Sequence, residues 1–263
     1  MNKFLTFFLV LSFSCNTGNL NVIADLPISL KEVSAIEITP NSSLLWIIED
    51  AGNKNVLYGL NEKGRIVKEL KITNAKNNDW EDLASDNEGN IYIGDFGNNN
   101  KTRTQFKILK VSLPEQAIKE TISEHINFTL PKDVKSKDFE AFFLMNSTFY
   151  IFSKNHKSGK LFSVPNSIGS HEATFMTNFN LKGKSNAITS ADYKEGEIAL
   201  LNHDKVWLLS EFKNDNFFEG KIELLEFNHK SQKEGVCFKA NTLLITDEQN
   251  SKTGGNIYSF PIN

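Results

Sequence analysis

The chain reads as all-β, and more narrowly as a five-bladed β-propeller whose ring is closed by an N-terminal strand, with six blades as the alternative count. Three observations predict this. First, a hairpin unit recurs five times: a polar anchor opens a short strand, a turn follows, and a β-branched or aromatic strand ends in a polar residue. The plainest copy is Asp79-Trp80-Glu81-Asp82-Leu83-Ala84-Ser85, whose turn Asp86-Asn87-Glu88-Gly89-Asn90 leads into Ile91-Tyr92-Ile93-Gly94-Asp95. Second, the anchors Ser34, Glu81, Glu140, Ser190 and Glu234 stand 44 to 59 residues apart, the length of one four-stranded blade. Third, the last repeat is short of a strand, and residues 19–25 can supply it and close the ring, which leaves no exposed inner edge.

Taken in order, the first blade is expected to use strands near 33–38, 44–49, 55–60 and 65–72, and the second 81–85, 90–95, 105–111 and 125–130. The third takes 139–144, 148–153, 160–164 and 173–180, and the fourth 187–193, 197–202, 205–210 and 220–227. The fifth pairs Lys233-Glu234-Gly235-Val236 with 243–247, then 256–260, then the N-terminal strand. Glu115 to Ser123 is the one stretch with helical periodicity and reads as a short helical insertion in the second, longest blade.

Composition agrees with one large β domain. Hydrophobic residues make up 40% of the 263, enough for a core, and 21 Phe suit strands and the packing between blades. A formal net charge of −3 without a basic stripe argues against a nucleic-acid binder. Nothing in the sequence calls for more than a monomer.

Residues 1–15 read as a signal peptide. Lys3 precedes an apolar run from Phe4 to Phe13, too short to span a bilayer as a helix. Leu11-Ser12-Phe13-Ser14-Cys15 resembles a bacterial lipobox, although Ser12 stands where Leu is usual. Cys15 is then the lipidated first residue of the mature chain, 16–18 a tether and 19–263 the propeller, which places the protein on a membrane of the bacterial cell envelope. Plain secretion to the periplasm or beyond, and an uncleaved anchor, are the alternatives. With Cys15 acylated only Cys237 remains, a small core residue in a strand, so no disulfide framework is available.

The anchors carry a resemblance. Val33-Ser34-Ala35, Trp80-Glu81-Asp82, Phe139-Glu140-Ala141, Ser190-Ala191 and Glu234-Gly235-Val236 resemble, in order, the blade-opening motifs of the SdiA-regulated family of bacterial envelope proteins. The resemblance covers essentially the whole mature chain. It implies a five-bladed propeller distantly similar to NHL-repeat propellers, a calcium ion in the channel, and no established activity. The family pattern has Gly after each Glu; Asp82 and Ala141 depart from it, Asp82 more strongly, and the long loop after Asp95 is an elaboration.

Read from the residues alone, five-fold repetition puts Ser34, Glu81, Glu140, Ser190 and Glu234 in one ring at the channel mouth. Three converging carboxylates must be partly protonated or share a cation. Calcium suits oxygen ligands in irregular geometry, and the scarcity of Cys and His disfavours zinc. The alternative is that each Glu caps backbone N–H groups or pairs with a Lys. A second ring, at the ends of the second strands, reads Asp50, Asp95, Lys154, His203 and Asp247. Lys154 opposite Glu140 would form a salt bridge that weakens that Glu as a ligand, and His203 is the candidate acid or base.

Two functions are consistent with this pattern. One is a calcium-containing binding or scaffold module that offers one face to a protein or small-molecule ligand. The other is a metal-dependent hydrolase acting on a phosphoester or lactone through a channel-bound metal. No nucleophile elbow, phosphate loop or His-Glu-x-x-His motif is present.

Overall fold

The computed structural model describes residues 17–40, 42–185, 187–250 and 254–262. The signal segment, Cys15 and the first residue of the tether lie outside these. Among the described residues there is no α-helix, and no helix long and apolar enough to cross a membrane.

Five antiparallel sheets form the blades. The first holds β2 (Val33–Glu37), β3 (Leu45–Glu49), β4 (Val56–Leu60) and β5 (Ile66–Ile72). The second holds β6 (Trp80–Ser85), β7 (Ile91–Asp95), β8 (Phe106–Val111) and β10 (Glu124–Thr129). The third is β11 (Phe139–Met145), β12 (Thr148–Ser153), β13 (Gly159–Pro165) and β15 (Thr174–Phe179). The fourth is β16 (Ser190–Lys194), β17 (Glu197–Asn202), β18 (Lys205–Ser210) and β19 (Lys221–Glu226). The fifth is β20 (Lys233–Lys239), β21 (Thr242–Asp247), β22 (Asn256–Pro261) and, outermost, the N-terminal β1 (Asn21–Asp25). Strand β1 pairs antiparallel with β22, so the first and last parts of the chain close the ring together.

The 115–123 segment is not a helix. It runs through turns into β9 (Glu120–Thr121), which pairs parallel with β5 and extends the first blade from the second. Periodicity misled here because the apolar residues face outward, Ile118 and Ile122 being exposed, while backbone hydrogen bonds to β5 satisfy the segment. In the same way β14 (Gly169–Glu172), inserted in the third blade, pairs parallel with β10 of the second.

The inner strands β2, β6, β11, β16 and β20 pack side by side around the channel. Between blades the core is aromatic: Phe139 sits edge-on to Phe106 and Phe162, with ring centroids 5.2 and 5.6 Å apart. Cys237 is buried as a free thiol in a separate, largely aliphatic cluster with Ile36, Leu244 and Ile257.

At the second inner position of each blade stand Ala35, Asp82, Ala141, Ala191 and Gly235, all buried. Four are small because neighbouring strands approach closely; a Cβ on Gly235 would lie 2.7 Å from the Ile36 nitrogen. The fifth, Asp82, uses the space that the others leave. It is 0% exposed and reaches across the axis. One carboxylate oxygen accepts from Leu83 N at 3.0 Å and the Ser190 hydroxyl at 2.8 Å, and the other accepts from Phe142 N and Ala191 N at 3.0 Å. Asp82 thus fastens the second blade to the third and fourth, which accounts for its departure from a small residue.

Asp82→Ala should therefore strand two inter-blade amides and a hydroxyl, lowering stability by at least about 3 kcal/mol, and Asp82→Asn should lose less because one acceptor remains. Denaturant midpoints measure both. Stabilities equal to that of the parent would dissociate Asp82 from ring integrity.

Candidate cation site at the channel mouth

Four of the five anchors are the extra residue of a β-bulge. The ladder skips Ser34, Glu81, Glu140 and Glu234, so each stands between paired neighbours at the start of its inner strand. A bulge twists the strand locally and re-aims the side chain. Ser190 instead pairs in register with Leu201.

The serines and glutamates then part company. Ser34 donates to Trp80 O at 2.8 Å, fastening the first blade to the second. Ser190 donates to Asp82 and accepts from Val236 N at 3.0 Å. Both hydroxyls are spent on blade joints. The three glutamates, all nearly buried, gather around Lys154, which follows β12. Lys154 Nζ lies 2.7 Å from Glu140 Oε1. Burial would strip its proton, but Glu140 first, then Glu234 and Glu81, hold the ammonium well above its ordinary range. Burial pushes Glu140 up, and Lys154 pulls it back.

The second predicted ring is not one group. His203 Nε2 is 3.2 Å from Glu234 Oε1, half exposed at the same mouth. Asp95 is turned to Arg103 at 3.1 Å and to the Asn78 amide at 2.8 Å. Asp247 accepts from the Tyr258 hydroxyl at 2.8 Å and from Asn256 N at 2.9 Å. Asp95 and Asp247 are the last residues of their strands, level with Glu49 and one place before Asp50, so they turn to the loops beside β7 and to the start of β22 respectively. Of the three acids in that ring, only Asp50 joins the glutamates.

It does so with a residue that the repeat did not single out. Asp50, Asp79 and Glu81 each bring a carboxylate oxygen within 4.8 Å of the others. Asn77 makes this happen: its amide donates to Glu49 O at 2.7 Å and Asp50 O at 2.9 Å while its oxygen accepts from Trp80 N at 3.1 Å, clamping the end of β3 to the start of β6. Asp50 and Asp79 share a hydrogen bond between their carboxyl groups, and burial together with Asp50 raises Asp79 to about 7. Glu81 is raised by burial and then by Glu140, Asp50 and Asp79. Glu248, raised to about 8 by burial and by Glu234, Asp50 and Glu32, completes the acidic rim. The signal that could have found Asp79 is an acid two places before the anchor in three successive blades, Glu32, Asp79 and Asp138.

The loop after Asp95 roofs this cluster. Gly97 N donates to Asp79 O at 3.2 Å, and a Cβ on Gly97 would fall 2.0 Å from Glu81 Oε1 and 2.4 Å from Asp79 Cγ. Only glycine lets the loop close while both carboxylates converge beneath it. The donors are hard oxygens, half-buried or buried, and short of positive charge except for Arg103 and Lys154, which suits calcium better than zinc.

No family model matches the chain, and no curated protein does. Solved structures do share the fold. A pyrroloquinoline-quinone-bound aldose sugar dehydrogenase from Streptomyces coelicolor superposes with a TM-score of 0.55 at 8% identity, over 92% of this chain and 97% of that one. A gluconolactonase from Xanthomonas campestris gives 0.54 at 8% identity, over 94% and 92%. A chain of a nidogen–laminin complex gives 0.51 at 11% identity, over 84% and 74%. At these identities the likeness bears on the fold alone.

Proposed function

We propose that this protein is an exported propeller of the SdiA-regulated type, anchored to a membrane of the cell envelope through Cys15, whose channel mouth binds a calcium ion and presents that face to a protein or small-molecule partner. The observation that carries the reading is the convergence of Asp50, Asp79 and Glu81 within 4.8 Å beneath Gly97. Lys154 already serves Glu140, so the ion belongs off the axis, at the Asp50–Asp79–Glu81 side rather than at the centre of a three-glutamate ring. Three carboxylates supply part of a calcium shell, and backbone oxygens or water supply the rest. The Lys154 salt bridge at Glu140, the His203 contact at Glu234 and the blade-joining serines leave Glu81 as the ring's ligand.

A second reading is a metal-dependent hydrolase of phosphoester or lactone type. It is favoured by His203, half exposed and hydrogen-bonded to Glu234, where it could pass a proton to or from a bound substrate. Turnover of a lactone or phosphoester that vanishes in His203→Ala while calcium binding persists would select it.

Chelator should lower the melting temperature and added calcium restore it, because an ion bound only to the folded state stabilises by mass action. Glu81→Gln should weaken calcium binding roughly tenfold or more, about 1.4 kcal/mol. Gly97→Ala should do the same without altering any charge, since its methyl intrudes on Glu81 and Asp79. Calorimetric titration reads all three; a parent indifferent to chelator and calcium sinks the cation reading.

The pH dependence has a definite sign. Asp79 near 7 and Glu248 near 8 stand above their unfolded values, so the ion-free folded state holds protons that the unfolded state has released. Without calcium, stability should fall as pH rises through 7 to 8, and calcium affinity should climb over the same window as protons leave. Melting curves with and without calcium across this range test it.

For the anchor, Cys15→Ser should abolish incorporation of radiolabelled fatty acid and leave the domain folded. Equal labelling of variant and parent would remove the lipid from the proposal.

A further inference from the structure

The opposite mouth of the channel opens into a separate cavity of about 1220 Å³, formed by the hairpins that join the first and second strands of the blades. Asp82 and the small residues level with it stand between the two mouths. Carboxylates outnumber ammonium groups on the cavity lining, six against three lysines, so its charge favours a cation. One lysine, Lys239, is engaged by Glu62 at 3.0 Å.

Two carboxylates lie at the base. Glu37 is 4% exposed. One of its oxygens accepts from Ile38 N at 2.6 Å. The hydroxyl beside the other, Ser85, has a single proton, and the Ile38 carbonyl at 3.2 Å competes for it. Asp192 accepts from Tyr193 N and Phe238 N, both at 2.7 Å. Burial, then Asp192 and Asp82, push Glu37 well above the ordinary carboxylate range, and Lys194 at the rim acts on Asp192 against its burial. Ile38, Leu144 and Phe238 give the same cavity apolar wall. A large concavity with a few convergent polar groups and an apolar wall is the usual form of a small-molecule site.

We propose that this mouth binds a ligand carrying an alkylammonium group, with the ammonium seated against Glu37 and Asp192 and the aliphatic stem along Ile38, Leu144 and Phe238. An ammonium offers up to three donors to two carboxylates whose only side-chain or backbone partners are neutral, and a methylene chain covers apolar wall that a hydrated metal ion would leave wet. The site is independent of the calcium site at the other mouth.

The test uses 1,5-diaminopentane, with 1,5-pentanediol as its uncharged counterpart, titrated calorimetrically into the purified protein. Saturable binding of the diamine and none of the diol is expected. Glu37→Gln should weaken diamine binding at least tenfold, while Glu81→Gln leaves it unchanged. Should Glu37→Gln fold poorly, the parent protein gives a second reading. The Ile38 and Phe238 amides donate to the two carboxylates, so their nitrogen–proton resonances should shift on titration. The proposal is overturned by no binding at millimolar diamine, by equal binding of the diol, by a Glu37→Gln variant that binds as the parent does, or by shifts confined to the Asp79–Glu81 mouth.

Discussion

The ring depends on how little room there is at its axis. Five inner strands converge there, and four of them present Ala or Gly because a larger side chain would meet a neighbouring backbone. The fifth presents Asp82, whose carboxylate takes four donors drawn from three blades. One anionic side chain thereby satisfies amides that face the axis with no strand partner, a service that no apolar residue could perform. Burial holds its pKa well above the ordinary carboxylate range, and the four donors pull against that shift.

The same crowding produces the acidic mouth. Bulges at the head of the inner strands throw Glu81, Glu140 and Glu234 toward one another, and the Asn77 clamp adds Asp50 and Asp79. So many carboxylates persist only because the protein supplies opposing terms: the Lys154 ammonium at Glu140, a shared proton between Asp50 and Asp79, and an upward shift of Glu248. Each is a partial substitute for a cation. The mouth is held in a state that a divalent ion would relieve, at the cost of releasing those protons.

The two mouths differ in kind. At the Glu81 mouth the cations Lys154 and Arg103 are tethered among the acids, whereas the charges that weigh most on Glu37 at the opposite mouth are Asp192 and Asp82. Between the mouths stand Asp82 and the small residues level with it.

What the sequence by itself determined is the repeat. Hairpin spacing, turn chemistry and alternation are local, and local signals give blade count, strand order and closure by Asn21–Asp25. The sequence also showed the three glutamates at one repeat position, since a repeat position maps onto a place in the ring. It could not show which carboxylates touch. Asp95 and Asp247 end their strands level with Glu49, one place before the position of Asp50, so Arg103 and Asn78 claim one and Tyr258 of β22 the other, a one-residue offset that the turn sequences do not reveal. Gly97 was not legible as a site residue because its meaning lies in the loop after β7 folding back over the first residues of its own blade, Asp79 among them. The 115–123 segment carried helical spacing, but the free edge of β5 offered hydrogen bonds that outweighed it. Strand pattern is set by nearest neighbours along the chain, whereas side-chain partnership is set by which loops meet in space, and only the closed ring decides that.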